Sequence, residues 1–70
     1  MTGREFIKRV TETGRQRGVA VWTDTKRGKG SHATLYYGSR LTVIPDRRRD
    51  IRPVLLAEML RQLGLDREDI

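Results

Sequence analysis

Cysteine is absent from this 70-residue sequence, so neither a disulfide nor a thiolate metal site is available to stabilise it. Histidine occurs once, and one histidine without a local Asp/Glu cluster offers too few ligands to bind a metal. Long apolar runs are missing too, so we expect no signal peptide in residues 1–10 and no membrane-spanning segment. These absences predict one domain over residues 1–70, in the cytoplasm, with no metal and no small-molecule cofactor.

Positive charge is concentrated in the first part of the chain. Residues 1–49 hold 12 Lys/Arg against four Asp/Glu, residues 50–70 hold three against five, and the net charge is +6. Such a field attracts polyanions and favours encounter with nucleic acid. We therefore expect contact with nucleic acid, the alternative being a solvated basic surface that only keeps the protein in solution.

Two helices and three strands are predicted. Thr2 and Glu5 have the spacing of a capping box, so a helix should begin there and end before Gly18. A second helix should include Pro53 in its first turn and end at Gly64. Residues 19–23, 32–37 and 41–44 are rich in β-branched and aromatic side chains, which favours strands. The order α-β-β-β-α predicts an α+β fold, a three-stranded antiparallel sheet with two helices on one face.

The hairpin between the second and third strands is expected to have a three-residue loop. That loop sets Leu35 opposite Val43 and so aligns apolar residues, whereas a two-residue loop at Gly38 and Ser39 would set Leu35 opposite Thr42. The core-facing residues would then be Ala33, Leu35, Tyr37, Leu41 and Val43. The opposite, uncovered face would carry His32, Thr34, Tyr36, Thr42 and Ile44.

His32 is the candidate catalytic residue. Imidazole is well suited to accept and return a proton near neutral pH, and RNA supplies its own nucleophile, the 2′-hydroxyl. One base and cations that stabilise the phosphate would therefore suffice without metal, and the preceding loop supplies such cations in Lys26, Arg27 and Lys29. The alternative is a surface histidine that caps a strand or donates a loop hydrogen bond, and spacing alone favours this alternative.

Further RNA contacts are expected from three residues outside that loop. Tyr36, on the uncovered face, would stack on a base, and Arg47 and Arg48 would extend the basic edge unless they form only a solvated loop. Trp22 and Tyr37 could likewise stack on bases, but they are expected in the core, because so small a domain needs its large side chains there.

Several short motifs together resemble the HicA (YcfA-like) toxin family over nearly the whole chain. They are Gly30-Ser31-His32, a hairpin that ends at Pro45, and the segments at residues 53–55 and 60–65. The resemblance implies a fold like that of double-stranded-RNA-binding domains, cleavage of mRNA by a toxin with His32 as catalytic residue, and a HicB-type antitoxin as protein partner. The alternative function is a double-stranded-RNA-binding module that does not cleave, and a third is an interaction protein that folds fully only against its partner.

Overall fold

The computed structural model describes residues 1–25 and 32–70. Its elements follow the predicted order: α1 (Gly3–Arg17), β1 (Val21–Asp24), β2 (Ala33–Tyr37), β3 (Arg40–Ile44) and α2 (Pro53–Leu63), with a final 3-10 turn at Arg67–Asp69. The α+β fold is therefore confirmed. Within the described part of the chain, no helix has both the length and the apolar character needed to cross a membrane.

Both helices begin and end where their capping residues predict. The Thr2 hydroxyl accepts a hydrogen bond from the Glu5 backbone N–H (3.2 Å), and the Glu5 carboxylate accepts one from the Thr2 backbone N–H (2.9 Å). This capping box satisfies amides that the first turn of α1 leaves without a helical partner. Gly18 and Gly64 close the two helices with φ values of +69° and +73°, in the left-handed region that glycine adopts without a steric penalty.

The strands form one antiparallel sheet in the order β1-β2-β3. Its inner face packs on the apolar stripes of both helices, and the buried core draws on α1, β2, β3 and α2. The largest fully buried apolar side chains are Phe6, Leu35, Ile44, Met59, Leu63 and Val10. The opposite face of the sheet, which we call the open face, has no helix against it in the described chain.

The predicted three-residue hairpin loop is wrong. The loop has two residues, Gly38 and Ser39, because Tyr37 pairs with Arg40 and Leu35 pairs with Thr42. Gly38 has φ +60° and occupies the first central position, where type II′ hairpin turns place glycine because its backbone must enter the region of positive φ. The turn therefore fixes the register, and the preference for matching apolar side chains does not.

This register reverses the two faces predicted for β3. Thr42 and Ile44 face the core and are 1% and 0% exposed, whereas Leu41 and Val43 lie on the open face and are 48% and 52% exposed. Burial of Thr42 is possible because its hydroxyl donates a hydrogen bond to the Gln62 side-chain oxygen (2.6 Å), so no polar atom is left without a partner. The faces predicted for Ala33, Leu35 and Tyr37 are confirmed by the same pairing.

The core position predicted for Trp22 is also wrong. Val21 and Trp22 are neighbours in β1 and so point to opposite faces of the sheet. Val21 packs against the core, while Trp22 is 49% exposed on the open face. Tyr37, by contrast, packs against the core as predicted.

Candidate nucleic-acid interface

His32 lies immediately before β2 and is exposed to solvent. Within residues 1–25 and 33–70, no group forms a hydrogen bond or an ion pair with its imidazole. The alternative, in which His32 caps a strand or donates a hydrogen bond to the preceding loop, falls partly on residues 26–31, which lie outside the described residues.

The sheet register shows what surrounds His32. Ala33, the next residue, pairs with Ile44 at the end of β3, and Thr34 pairs with Asp24 at the end of β1. His32 therefore lies at the end of the sheet where β1 and β3 finish. Residues 46–49, which we call the arginine turn, are separated from Ile44 at the end of β3 by Pro45 alone, and so belong to this same end of the molecule.

The arginine turn is fixed against the start of α1. The backbone N–H groups of Gly3 and Arg4 donate to the carbonyl oxygens of Arg49 (3.1 Å) and Arg47 (2.9 Å). Gly3 allows this approach, because a Cβ at that position would lie only 2.7 Å from the Arg47 Cα and 2.8 Å from an Ile44 methyl carbon. The helix thus positions the turn that carries Arg47 and Arg48.

Two acidic side chains moderate the positive charge at this end. The Asp46 carboxylate lies 3.8 Å from the Arg48 guanidinium and 3.5 Å from that of Arg49, so it offsets part of the charge of the turn. Asp24, at the end of β1, adds a second carboxylate opposite Thr34. Arg48 and Arg49 are still largely exposed, which leaves them accessible to phosphates in competition with these exposed and weak pairs.

Tyr36 lies away from His32. The two residues are four positions apart, which corresponds to about 13 Å along an extended chain. Tyr36 does lie on the open face, as predicted, and pairs with Trp22 on one side and Leu41 on the other. Lys26, Arg27 and Lys29, the other predicted RNA contacts, lie outside the described residues.

Trp22 also belongs to this surface, although the sequence favours a core position for it over base stacking. Its ring stacks on that of Tyr36, with centroids 5.0 Å apart and an angle of 11° between the planes. The signal that identifies it is strand parity: once Val21 faces the core, Trp22 must face outward. The open face therefore presents a pair of stacked aromatic rings.

The chemistry available at this end consists of one imidazole and several guanidinium groups, and the aromatic rings lie farther along the open face. Among residues 1–25 and 32–70, no three His, Cys, Asp or Glu side chains are grouped as the ligands of a metal ion would be. An exposed imidazole at the same end of the molecule as cationic side chains can accept a proton from a hydroxyl near a bound phosphate. Comparison of the chain with known protein families, with curated proteins and with solved structures finds no match.

Proposed function

We propose that this protein is an RNA-cleaving toxin of the HicA type, an endoribonuclease that destroys mRNA with His32 as its catalytic base. One observation carries the proposal: the only histidine of the chain is exposed at the end of the sheet that also holds the arginine turn. The motifs around Gly30-Ser31-His32 and the α-β-β-β-α order support the same family resemblance.

The cleavage step follows from the chemistry of RNA. His32 accepts the proton of a ribose 2′-hydroxyl, and the 2′-oxygen attacks the adjacent phosphorus as the bond from phosphorus to the 5′-oxygen breaks. The products are a 2′,3′-cyclic phosphate and a 5′-hydroxyl, whose oxygen takes a proton from water. The hydroxide that remains takes the proton that His32 accepted, which restores the neutral imidazole. Arg47 and Arg48, together with Lys26, Arg27 and Lys29 from the preceding loop, hold the phosphate and stabilise its developing negative charge.

The proposed function implies a protein partner and a compartment. A HicB-type antitoxin would neutralise the toxin by covering the His32 end of the sheet. Because that end is rich in arginine, the surface of the antitoxin that binds there should be acidic. Both the mRNA substrate and this partner place the protein in the cytoplasm, and the reaction requires no cofactor.

A second candidate function is a double-stranded-RNA-binding module that does not cleave. It is favoured by a specific feature of α1, whose side chains Arg4, Lys8 and Arg9 are exposed on the surface away from the sheet. Exposed cations on a helix can contact the phosphates of an A-form duplex without reading its bases, and Glu5 and Glu12 lie among them on this surface. Such a module would bind duplex RNA with or without His32.

Controlled expression in bacterial cells separates these two functions. Induction of the wild type should stop growth and deplete mRNA, whereas His32→Ala at the same protein level should leave both unchanged. Gln16→Ala, an exposed substitution on α1, is the matched control and should remain as toxic as the wild type. The binding module would be favoured if the wild type leaves growth and mRNA unchanged and the purified protein binds duplex RNA with an affinity that falls as the salt concentration rises.

A further inference from the structure

We propose that the open face holds a subsite for one unpaired RNA base, stacked on the aromatic pair Trp22 and Tyr36. The position of this base relative to the cleaved bond rests on the proposed function, because that bond is placed at His32. The subsite itself rests only on the geometry of the open face. Its ligand is single-stranded RNA.

Cross-strand pairing brings the residues of the subsite into one row. Trp22, Tyr36 and Leu41 lie opposite one another on β1, β2 and β3, all on the open face. The two rings stack nearly parallel, 5.0 Å between centroids, so each ring holds the other in a fixed orientation. A ring that is already oriented loses little conformational freedom when a ligand stacks on it.

The exposed part of this pair has the shape that a flat ligand requires. Trp22 remains 49% exposed although it stacks on Tyr36. Both rings line a shallow, open depression together with Thr23, Asp24 and Thr25. A planar base can extend the stack there.

Charge favours RNA over a protein as the occupant. The chain carries a net charge of +6, most of it before residue 50, so polyanions are drawn to it from a distance. Aromatic platforms on basic proteins are the usual means of binding single-stranded nucleic acid, since every base has a π-face to stack. Bases in a duplex are stacked on one another and are not available to such a platform, so the subsite selects unpaired RNA.

The length of β2 sets the spacing between this base and the cleaved bond. Tyr36 lies four positions after His32, about 13 Å along an extended chain. With about 3.4 Å between stacked bases, that distance corresponds to about four nucleotides, and to fewer where the RNA is stretched. The base on the aromatic pair should therefore lie about two to four nucleotides from the bond at His32.

Trp22 is the only tryptophan of the chain, so its fluorescence reports directly on the subsite. We would titrate the full-length His32→Ala variant, in which cleavage does not interfere, with a single-stranded hexanucleotide. The controls are the same RNA as a duplex and a hexamer of the sugar-phosphate backbone without bases. The proposal predicts quenching of Trp22 by the single strand, with weaker binding and little quenching by both controls.

Substitutions test the stacking contribution independently of the fluorescence. By the binding of a dye-labelled hexamer, Tyr36→Ala should weaken affinity by roughly 5- to 100-fold, the range expected for loss of one stacked base. Tyr36→Phe keeps the ring and should bind within about twofold of the parent. Val54→Ala, which removes an exposed apolar side chain from α2, is the matched control and should leave binding unchanged.

Several results would overturn the subsite. They are equal binding of the backbone without bases, equal quenching by the duplex, or an unchanged affinity in Tyr36→Ala. Trp22 fluorescence that does not change when RNA is added would also overturn the subsite. The open face would then be interpreted as a surface that binds a protein. Cleavage by the wild type with no Trp22 response would refute the subsite alone, whereas quenching without cleavage would refute the nuclease alone.

Discussion

At the scale of single residues, Asp69 shows how one side chain fastens the end of the chain. Its carboxylate accepts hydrogen bonds from the Asp66 backbone N–H (2.7 Å) and from the Arg17 guanidinium (2.6 Å). The backbone carbonyl oxygen of Asp69 accepts a third hydrogen bond, from the Thr13 hydroxyl (2.7 Å). The 3-10 turn is thereby joined to α1 on the far side of the core from the sheet's open face.

These contacts also make a prediction about pH. The Asp66 backbone N–H and then the Arg17 guanidinium hold the pKa of the Asp69 carboxyl below its ordinary value. Because the pKa is lowered by folding, the contribution to stability is present above about pH 4, the ordinary aspartate range, and is lost as the pH falls through the lowered pKa. Asp69→Asn should therefore lower Tm at pH 7 and make Tm less sensitive to acid.

A matched substitution in the same turn controls for the loss of charge. Glu68→Gln removes one carboxylate from an exposed position that has no partner in the described chain, so its Tm should stay close to that of the wild type. Thermal unfolding of both variants at pH 7 and at pH 3 provides the comparison. An equal Tm for Asp69→Asn and Glu68→Gln at pH 7 would contradict the role given to Asp69.

At the scale of elements, the register of the hairpin is open to a direct test. Thr42 is buried and Val43 is exposed. Lysine should therefore destabilise the fold strongly at position 42 and only slightly at position 43. Thr42→Lys places an unpaired charge in the core and should cost several kcal/mol, enough to unfold so small a domain. Val43→Lys should change the free energy of unfolding by less than about 1 kcal/mol.

Urea unfolding followed by circular dichroism measures both variants. The three-residue loop would exchange the two positions and hence the two results. A folded Thr42→Lys together with an unfolded Val43→Lys would therefore contradict the register of β2 and β3.

The helices could be predicted from the sequence because their ends carry local signals. The reciprocal pairing of Thr2 and Glu5, and the glycines at 18 and 64, define boundaries without reference to the rest of the fold. The face of β3 could not be predicted in the same way, since Leu41 and Val43 alternate with Thr42 and Ile44 and either pair can face a core. Gly38 is the residue that indicates the loop length, because glycine suits the first position of a two-residue turn. The loop length in turn sets which residues of β3 face the core.

At the scale of the whole molecule, the candidate site was predicted in part. The sequence locates His32 at the start of a strand, and the fold brings Arg47 and Arg48 to the same end of the sheet. That juxtaposition depends on the pairing of Ala33 with Ile44 and on the contact of α1 with the arginine turn, neither of which is local in sequence. The stacking of Trp22 on Tyr36 likewise depends on strand register. Because the register is not local in sequence, the sequence alone favours a core position for Trp22.

The central claim, that His32 makes this protein a ribonuclease, is tested most directly by cleavage in vitro. Purified wild type and His32→Ala would be incubated with a long single-stranded RNA in the presence of a chelator, and the products resolved on a gel. Circular dichroism and the fluorescence of Trp22 would first establish that both proteins have the same fold. Fragments with 2′,3′-cyclic phosphate ends are expected from the wild type, with at least a hundredfold less cleavage by His32→Ala. Intact RNA with both proteins, or equal cleavage by both, would contradict the catalytic role of His32.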